Sequence, residues 1–130
     1  MTSVYKKFLG EQGECAAMDY LIQRGYRIRK HHWRSRLGEI DIIAIKRRAI
    51  YFIEVKTRRS AAYGEPLAAI STWQRKRIIQ SALGYLSQTG FEPEEIHFSV
   101  IGIRFSEAGP AQISFLEDAF EAEDSNGFLF

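Results

Sequence analysis

The chain has a single cysteine, Cys15, among its 130 residues, so it cannot form a disulfide within itself. It also lacks any apolar run of the roughly 18 residues that a spanning helix needs. No apolar stretch of signal-peptide length opens the sequence. Internal repeats and low-complexity tracts are absent too. Together these absences lead to the expectation of a soluble cytoplasmic protein with no membrane partner. Acid is scarce in one section in particular. Between Arg24 and Arg59 stand twelve Lys or Arg and only three acids, a net of +9. From Phe91 to Phe130 the balance reverses, with nine acids against one Arg.

What is present is 45% hydrophobic residues, which suits one compact domain over residues 1–130, with an acidic tail from about residue 117. The basic section predicts a polyanion as partner, most simply nucleic acid. The competing reading is a basic surface that is merely solvated. The three acids inside that section are Glu39, Asp41 and Glu54, and all fall in one stretch, Gly38–Arg59.

That stretch reads as a β-hairpin. Two apolar runs, Ile40–Ile45 and Ala49–Val55, flank a basic turn at Lys46-Arg47-Arg48. Both runs are nearly continuous in apolar residues, which predicts burial on both faces. A turn centred between Arg47 and Arg48 sets Asp41 opposite Glu54, with Cβ atoms roughly 5 Å apart. Facing carboxylates repel, so one should lose its charge or gain a counter-ion. Lys56, two residues beyond Glu54, shares its face. Two carboxylates and an ammonium at one spot suit a hard divalent cation and an activated water.

The rest of the chain frames this hairpin. A helix is expected over Tyr5–Arg24, ended by Gly25. Its apolar stripe of Ala17, Met18 and Leu21 carries Glu14 toward the packed side. Glu14 is then either a third carboxylate of the site or a helix-dipole residue at the stripe's margin. Cys15 reads as a small packing residue. A strand over Tyr26–Arg34 carries His31 and His32, which strand alternation should send to opposite faces, so that they cannot share an ion. Trp33 reads as core. Ser60–Glu65 follows the hairpin as a stretch able to gate it. A helix over about Leu67–Gln88 brings Gln74 to its packed side and fans Arg75, Lys76 and Arg77 around the other. Two strands, Ile96–Phe105 and Ala111–Leu116, close the domain, and a short helix is expected within Glu117–Phe130. The order predicts an α/β fold, with a mixed central sheet of about five strands flanked by two main helices.

Certain motifs then carry a resemblance. GE(x)₂A at Gly13–Ala17, GYRI at Gly25–Ile28, GEIDIIA at Gly38–Ala44, EVKTRRS at Glu54–Ser60 and DAF at Asp118–Phe120 resemble the YraN-like bacterial proteins. Through these, the chain is similar to the restriction-endonuclease-like PD-(D/E)xK nuclease superfamily, including archaeal Holliday-junction resolvases. The likeness spans about Gly10 to Phe120, and GEID…EVKTR is its specific part. It implies that Asp41 and Glu54 ligate Mg²⁺ or Mn²⁺, with the Val55 backbone carbonyl in the metal shell. It further implies that Lys56 orients the attacking water, and that Glu14 contributes through water. Gln74 stands where a site-touching Lys is common among the YraN-like proteins. Ser99 and His32 stand where Asp and Asn are usual.

The expected function is therefore a metal-dependent endonuclease acting on nucleic acid, DNA first. Arg34, Arg36, Arg47, Arg48, Arg58, Arg59, Arg75, Lys76 and Arg77 are the candidates to grip phosphates without reading sequence. The sequence leaves open whether two chains pair as a homodimer to cut both strands. The alternative class is a binding module of the same fold that holds nucleic acid without cutting it. A third is an interaction protein that recruits a partner through its acidic C-terminal section.

Overall fold

A computed structural model describes residues 3–59, 70–106 and 109–122. The elements run α1 (Ser3–Gln23), β1 (Arg27–Ser35), β2 (Gly38–Lys46), β3 (Ala49–Arg58), α2 (Thr72–Thr89), β4 (Glu95–Ser106) and β5 (Gly109–Phe120). The five strands form one sheet in sequence order. Every neighbouring pair is antiparallel except β3 and β4, which run parallel. The parallel pair needs a crossover, and α2 lies within it. This is the mixed five-stranded sheet with two helices that the pattern of elements predicts. Among the described residues, no helix is long and apolar enough to cross a membrane.

The continuous apolar runs of β2 and β3 are explained by a helix on each face. Ile43, Ile45, Ile50 and Phe52 pack with Ile78, Ile79, Ala82 and Tyr85 of α2. Ile42, Ala44 and Ile53 pack with Ala17 and Leu21 of α1. Trp33 meets Tyr85 edge to face at 5.5 Å, in the core role expected of it. Gly25, at φ 89°, ends α1 in the left-handed conformation as expected. Gly90, at φ 70°, ends α2 in the same way, its N–H donating to the Leu86 carbonyl.

Several boundaries differ from expectation. Helix α2 begins at Thr72, because Ser71 is its N-cap: the Ser71 hydroxyl accepts from Gln74 N–H, and Gln74 Oε1 accepts from Ser71 N–H. The apolar pattern running back to Leu67 had concealed that cap. Glu117–Phe120 is the end of β5 rather than part of a helical tail, since Phe120 is buried beside Phe98. Cys15 is exposed rather than packed. The Ser60–Glu65 stretch lies outside the described residues, as does the tail from residue 123.

One glycine positions everything that follows. A Cβ on Gly13 would stand 2.0 Å from Thr57 Oγ1 of β3. A glycine inside a helix costs about 0.5–1 kcal/mol relative to alanine. Here it lets α1 lie directly on the strand that carries Glu54 and Lys56. The next residue of α1 is Glu14.

Candidate metal and catalytic site

The hairpin has the register that its turn implies. Ile42 pairs with Ile53, Ile43 with Phe52, Ala44 with Tyr51 and Lys46 with Ala49. The ladder stops one step short of Asp41 and Glu54. Asp41 instead turns its carboxylate inward, where Oδ2 accepts the Val55 N–H at 2.8 Å. A strand residue points its N–H and C=O toward the same neighbour. The Val55 carbonyl therefore faces the β2 side along with that N–H.

Asp41 is buried, with 8% of its surface exposed. Glu54 lies against it. Burial pushes the Glu54 carboxyl up to about 8, and the charge of Asp41 and a hydrogen bond with it add to the rise. Lys56 opposes the shift, its Nζ lying 3.4 Å from Glu54 Oε2. This is the strained pair, with its ammonium, expected from the turn. Oxygen donors crowded in this way, one of them protonated for want of positive charge, fit a hard divalent cation such as Mg²⁺ or Mn²⁺.

Glu14 reaches the same place from α1 and is buried to 8% exposure. Its pKa is raised first by burial and then by Asp41, while a hydrogen bond from His31 works against the rise. The stripe-side placement of Glu14 is thus real, and the carboxylates of Glu14, Asp41 and Glu54 form one electrostatic cluster.

The histidines overturn the alternation argument. His31 Nε2 lies 2.8 Å and His32 Nε2 lies 2.6 Å from the same Glu14 Oε1. Their ring centroids are 4.7 Å apart. The reason is backbone geometry: His32 has φ 55°, and β1 shifts register between Ile28 and Lys30. A left-handed residue breaks the two-residue alternation, so neighbouring side chains converge. His, like Asn and Asp, is enriched in that conformation. Among the described residues, Glu14, His31 and His32 form one group of candidate metal ligands, and His32, Glu39 and Asp41 form a second. The adjacent histidines were the available signal, but alternation alone argued against them.

On the α2 side, a cleft of about 260 Å³ is lined by Gly38, Glu39, Asp41, Glu54, Trp73, Gln74, Arg77 and Ile78. Gln74 does border the site, but its oxygen is also engaged in the cap of α2. Arg77 stacks on Trp73 at 5.1 Å. Arg75 donates from Nε to the Ile70 carbonyl and lies over Phe120. Trp73, two-thirds exposed at the cleft, has no counterpart among the expected site residues.

The basic residues divide between two ends of the sheet. Arg34 and Arg36 sit at the β1–β2 turn, Arg58 and Arg59 at the end of β3, and Arg75, Lys76 and Arg77 on the first turns of α2. Arg34, Arg36, Arg58 and Arg59 belong to the acid end and Arg77 lines the cleft there, whereas Arg75 lies over Phe120. Arg34 is paired with Glu39 at 3.2 Å. Arg47 and Arg48 occupy the other end. At about 3.3 Å per strand residue, the turn is roughly 20 Å from Asp41. Arg48 is paired there with Glu94 at 3.1 Å. These two arginines do not line the acidic cleft.

Comparison with known proteins gives a consistent picture. The pattern of an uncharacterised protein family, UPF0102, matches residues 13–103, which takes in Glu14, the hairpin and α2. A UPF0102 protein of Chlorobium phaeobacteroides strain BS1 is 48% identical over 95 residues, covering 73% of this chain and 75% of the relative. One from Geobacter metallireducens is 40% identical over 119 residues, covering 92% and 97%. One from Rhodococcus jostii is 38% identical over 112 residues, covering 86% and 95%. On a match across most of its length and on relatives of this similarity, the chain belongs to the UPF0102 family.

Proposed function

We propose that this protein hydrolyses phosphodiester bonds of nucleic acid, DNA first, with Mg²⁺ or Mn²⁺ held by Asp41 and Glu54. The observation that carries this reading is the buried Asp41–Glu54 contact with Lys56 beside it. Structural carboxylates are normally kept apart or paired with cations, and this pair is pressed together in a cleft. The resemblance to PD-(D/E)xK nucleases supports the same roles. When bound, the cation would polarise a phosphate oxygen and lower the pKa of a bound water.

The chain's own groups have separable tasks. The Val55 N–H fixes the Asp41 carboxylate in one orientation. Burial and Asp41 push the Glu54 carboxyl up to about 8, and bound positive charge would favour its ionised form. Lys56 holds its ammonium where negative charge would develop on the phosphate. Arg75, Lys76 and Arg77 at the start of α2 hold the backbone of the nucleic acid at the cleft.

The test is a panel of labelled single-stranded, duplex and branched DNA and RNA, incubated with Mg²⁺, Mn²⁺ or EDTA. Cleavage of at least one DNA substrate, dependent on the metal, is the expected result. Salt-sensitive binding of these substrates with no cleavage under either metal would replace the enzyme with the binding module.

A further inference from the structure

We infer that Glu14, His31 and His32 form a site for a transition-metal ion of the Zn²⁺ class, next to the carboxylate pair. The inference does not depend on the nuclease reading. It rests on side chains from two elements that converge on one point. Glu14 comes from α1 and the two imidazoles from β1, and both Nε2 atoms aim at the same carboxylate oxygen, at 2.8 and 2.6 Å.

Hydrogen bonding by neutral imidazoles does not account for this arrangement. If no cation is present, each neutral imidazole must carry its proton on Nε2 to donate to Glu14. The Nδ1 of His32 is then a bare acceptor. That atom is buried without a hydrogen-bond partner, and the nearest group is another acceptor, Glu39 Oε1, at 3.8 Å. Lone pair would face carboxylate in a buried position. A metal ion on Nε2 reverses the sense of the ring. The proton moves to Nδ1, where it points at Glu39, and metal-bound histidines habitually donate their second nitrogen to a carboxylate.

Backbone strain points the same way. His32 is held at φ 55°, and only that departure lets neighbouring strand residues present their rings on one side. Non-glycine residues in this region persist where the surroundings impose them, often at functional sites. Two imidazoles and one carboxylate make a set suited to zinc and its neighbours, whereas Mg²⁺ and Ca²⁺ prefer oxygen alone. Around an ion with bonds of about 2.1 Å, tetrahedral ligand atoms stand about 3.4 Å apart. The two contacts to Glu14, at 2.8 and 2.6 Å, must therefore open by about 0.6 and 0.8 Å. Three protein ligands leave a fourth position for water or a substrate oxygen.

The experiment is calorimetric titration of the metal-free protein with ZnCl₂ at pH 7.5. It is accompanied by imidazole ¹⁵N spectra and melting temperatures for the parent, His31→Ala, His32→Asn and Asp41→Asn. Asn tolerates the left-handed backbone, so His32→Asn should keep the strand intact. The expected result is one tightly bound Zn²⁺ per chain and a shift of both Nε2 resonances. Affinity should fall at least ~10-fold in each histidine variant, since outer-shell changes alone often cost that much. Asp41→Asn should retain zinc. Failure to bind Zn²⁺ would overturn the site and leave both histidines as hydrogen-bond partners of Glu14. Zinc lost with Asp41→Asn but kept in both histidine variants would also overturn it, assigning the ion to the carboxylate pair. An absence of nuclease activity would bear on neither outcome.

Discussion

The two ends of the β2–β3 hairpin treat charge in opposite ways. At the turn end, acids meet donors. Arg48 pairs with Glu94, and the Tyr51 hydroxyl donates to Glu117 at 2.9 Å. His97 stacks on Tyr51 and is held between Asp118 at 2.6 Å and Glu95 at 2.9 Å. Burial works against charge on His97, but those two carboxylates outweigh it and raise its pKa. At the other end, carboxylate is pressed on carboxylate, with Lys56 as the cation partner of Glu54. The turn end encloses the larger cavity, about 510 Å³ against 260 Å³. Size is nevertheless the wrong guide, because the polar groups of the larger cavity already answer one another. The smaller cleft holds groups that gain by meeting a cation.

The largest effect should come from removing one carboxylate at the acid end. Asp41→Asn keeps an oxygen that can accept the Val55 N–H, so the local fold should hold. In EDTA the variant should melt at or above the parent's temperature, because the buried charge of Asp41 beside Glu14 is gone. Metal at about 100 times its Kd stabilises a folded site by about 2.7 kcal/mol, and the variant should lose most of that. Any cleavage should disappear as well. A variant that retains the full metal-induced shift would remove Asp41 from the ligand set. A badly destabilised variant in EDTA would make Asp41 a structural residue and erase the contrast between the two ends.

A smaller effect is expected from pH alone. The unfolded Glu54 titrates near 4.5, and the folded one near 8. Below the first value both states hold the proton and stability is unaffected. Between the two values only the folded chain holds it, so each rise in pH favours unfolding. The slope should be at most about 1.4 kcal/mol per pH unit, flattening above pH 8. Metal affinity should rise over the same window, because the ion must displace that proton. Denaturant unfolding in EDTA at a series of pH values checks this. Glu54→Gln should flatten the curve, and an equally flat curve for the parent would mean that Glu54 is ionised without metal.

How far this could be read from the sequence depended on which interactions are local. The turn at Arg47-Arg48 sets the pairing of Ile42 with Ile53, so the Asp41–Glu54 contact followed from simple pairing. The placement of Glu14 was legible from helical spacing, though not its closeness to β3, which rests on the approach of Gly13 to Thr57. The convergence of His31 and His32 was not legible. It depends on one positive φ and a register shift, and β periodicity assumes neither. The sequence pattern puts the start of α2 too early, because the apolar run before Ser71 resembles helix, while the capping box that sets the start is one Ser and one Gln. The arginines could be counted from the sequence but not divided between ends, since that requires the strand directions.

That division yields the smallest expected effect. Arg47→Ala with Arg48→Ala removes two cations from the turn, roughly 20 Å from the acids by strand length. The Arg48–Glu94 pair is well exposed, at 78% and 64% of the side chains, so its loss should cost no more than about 1 kcal/mol. Metal-induced stabilisation should be unchanged, because no residue of the acid end is touched. Arg75→Ala with Arg77→Ala removes the same formal charge from the first turns of α2, where Arg77 lines the acidic cleft. If nucleic acid lies across that cleft, the second variant should lose more affinity and a larger share of the salt dependence. Each phosphate contact removed lowers the slope of log K against log[salt] by about 0.7–0.9. Binding isotherms at several salt concentrations for both variants decide the matter. Equal losses would mean that the nucleic acid spans the whole sheet edge from turn to cleft. A larger loss from the turn variant would move the binding surface away from the carboxylates and separate binding from any chemistry they perform.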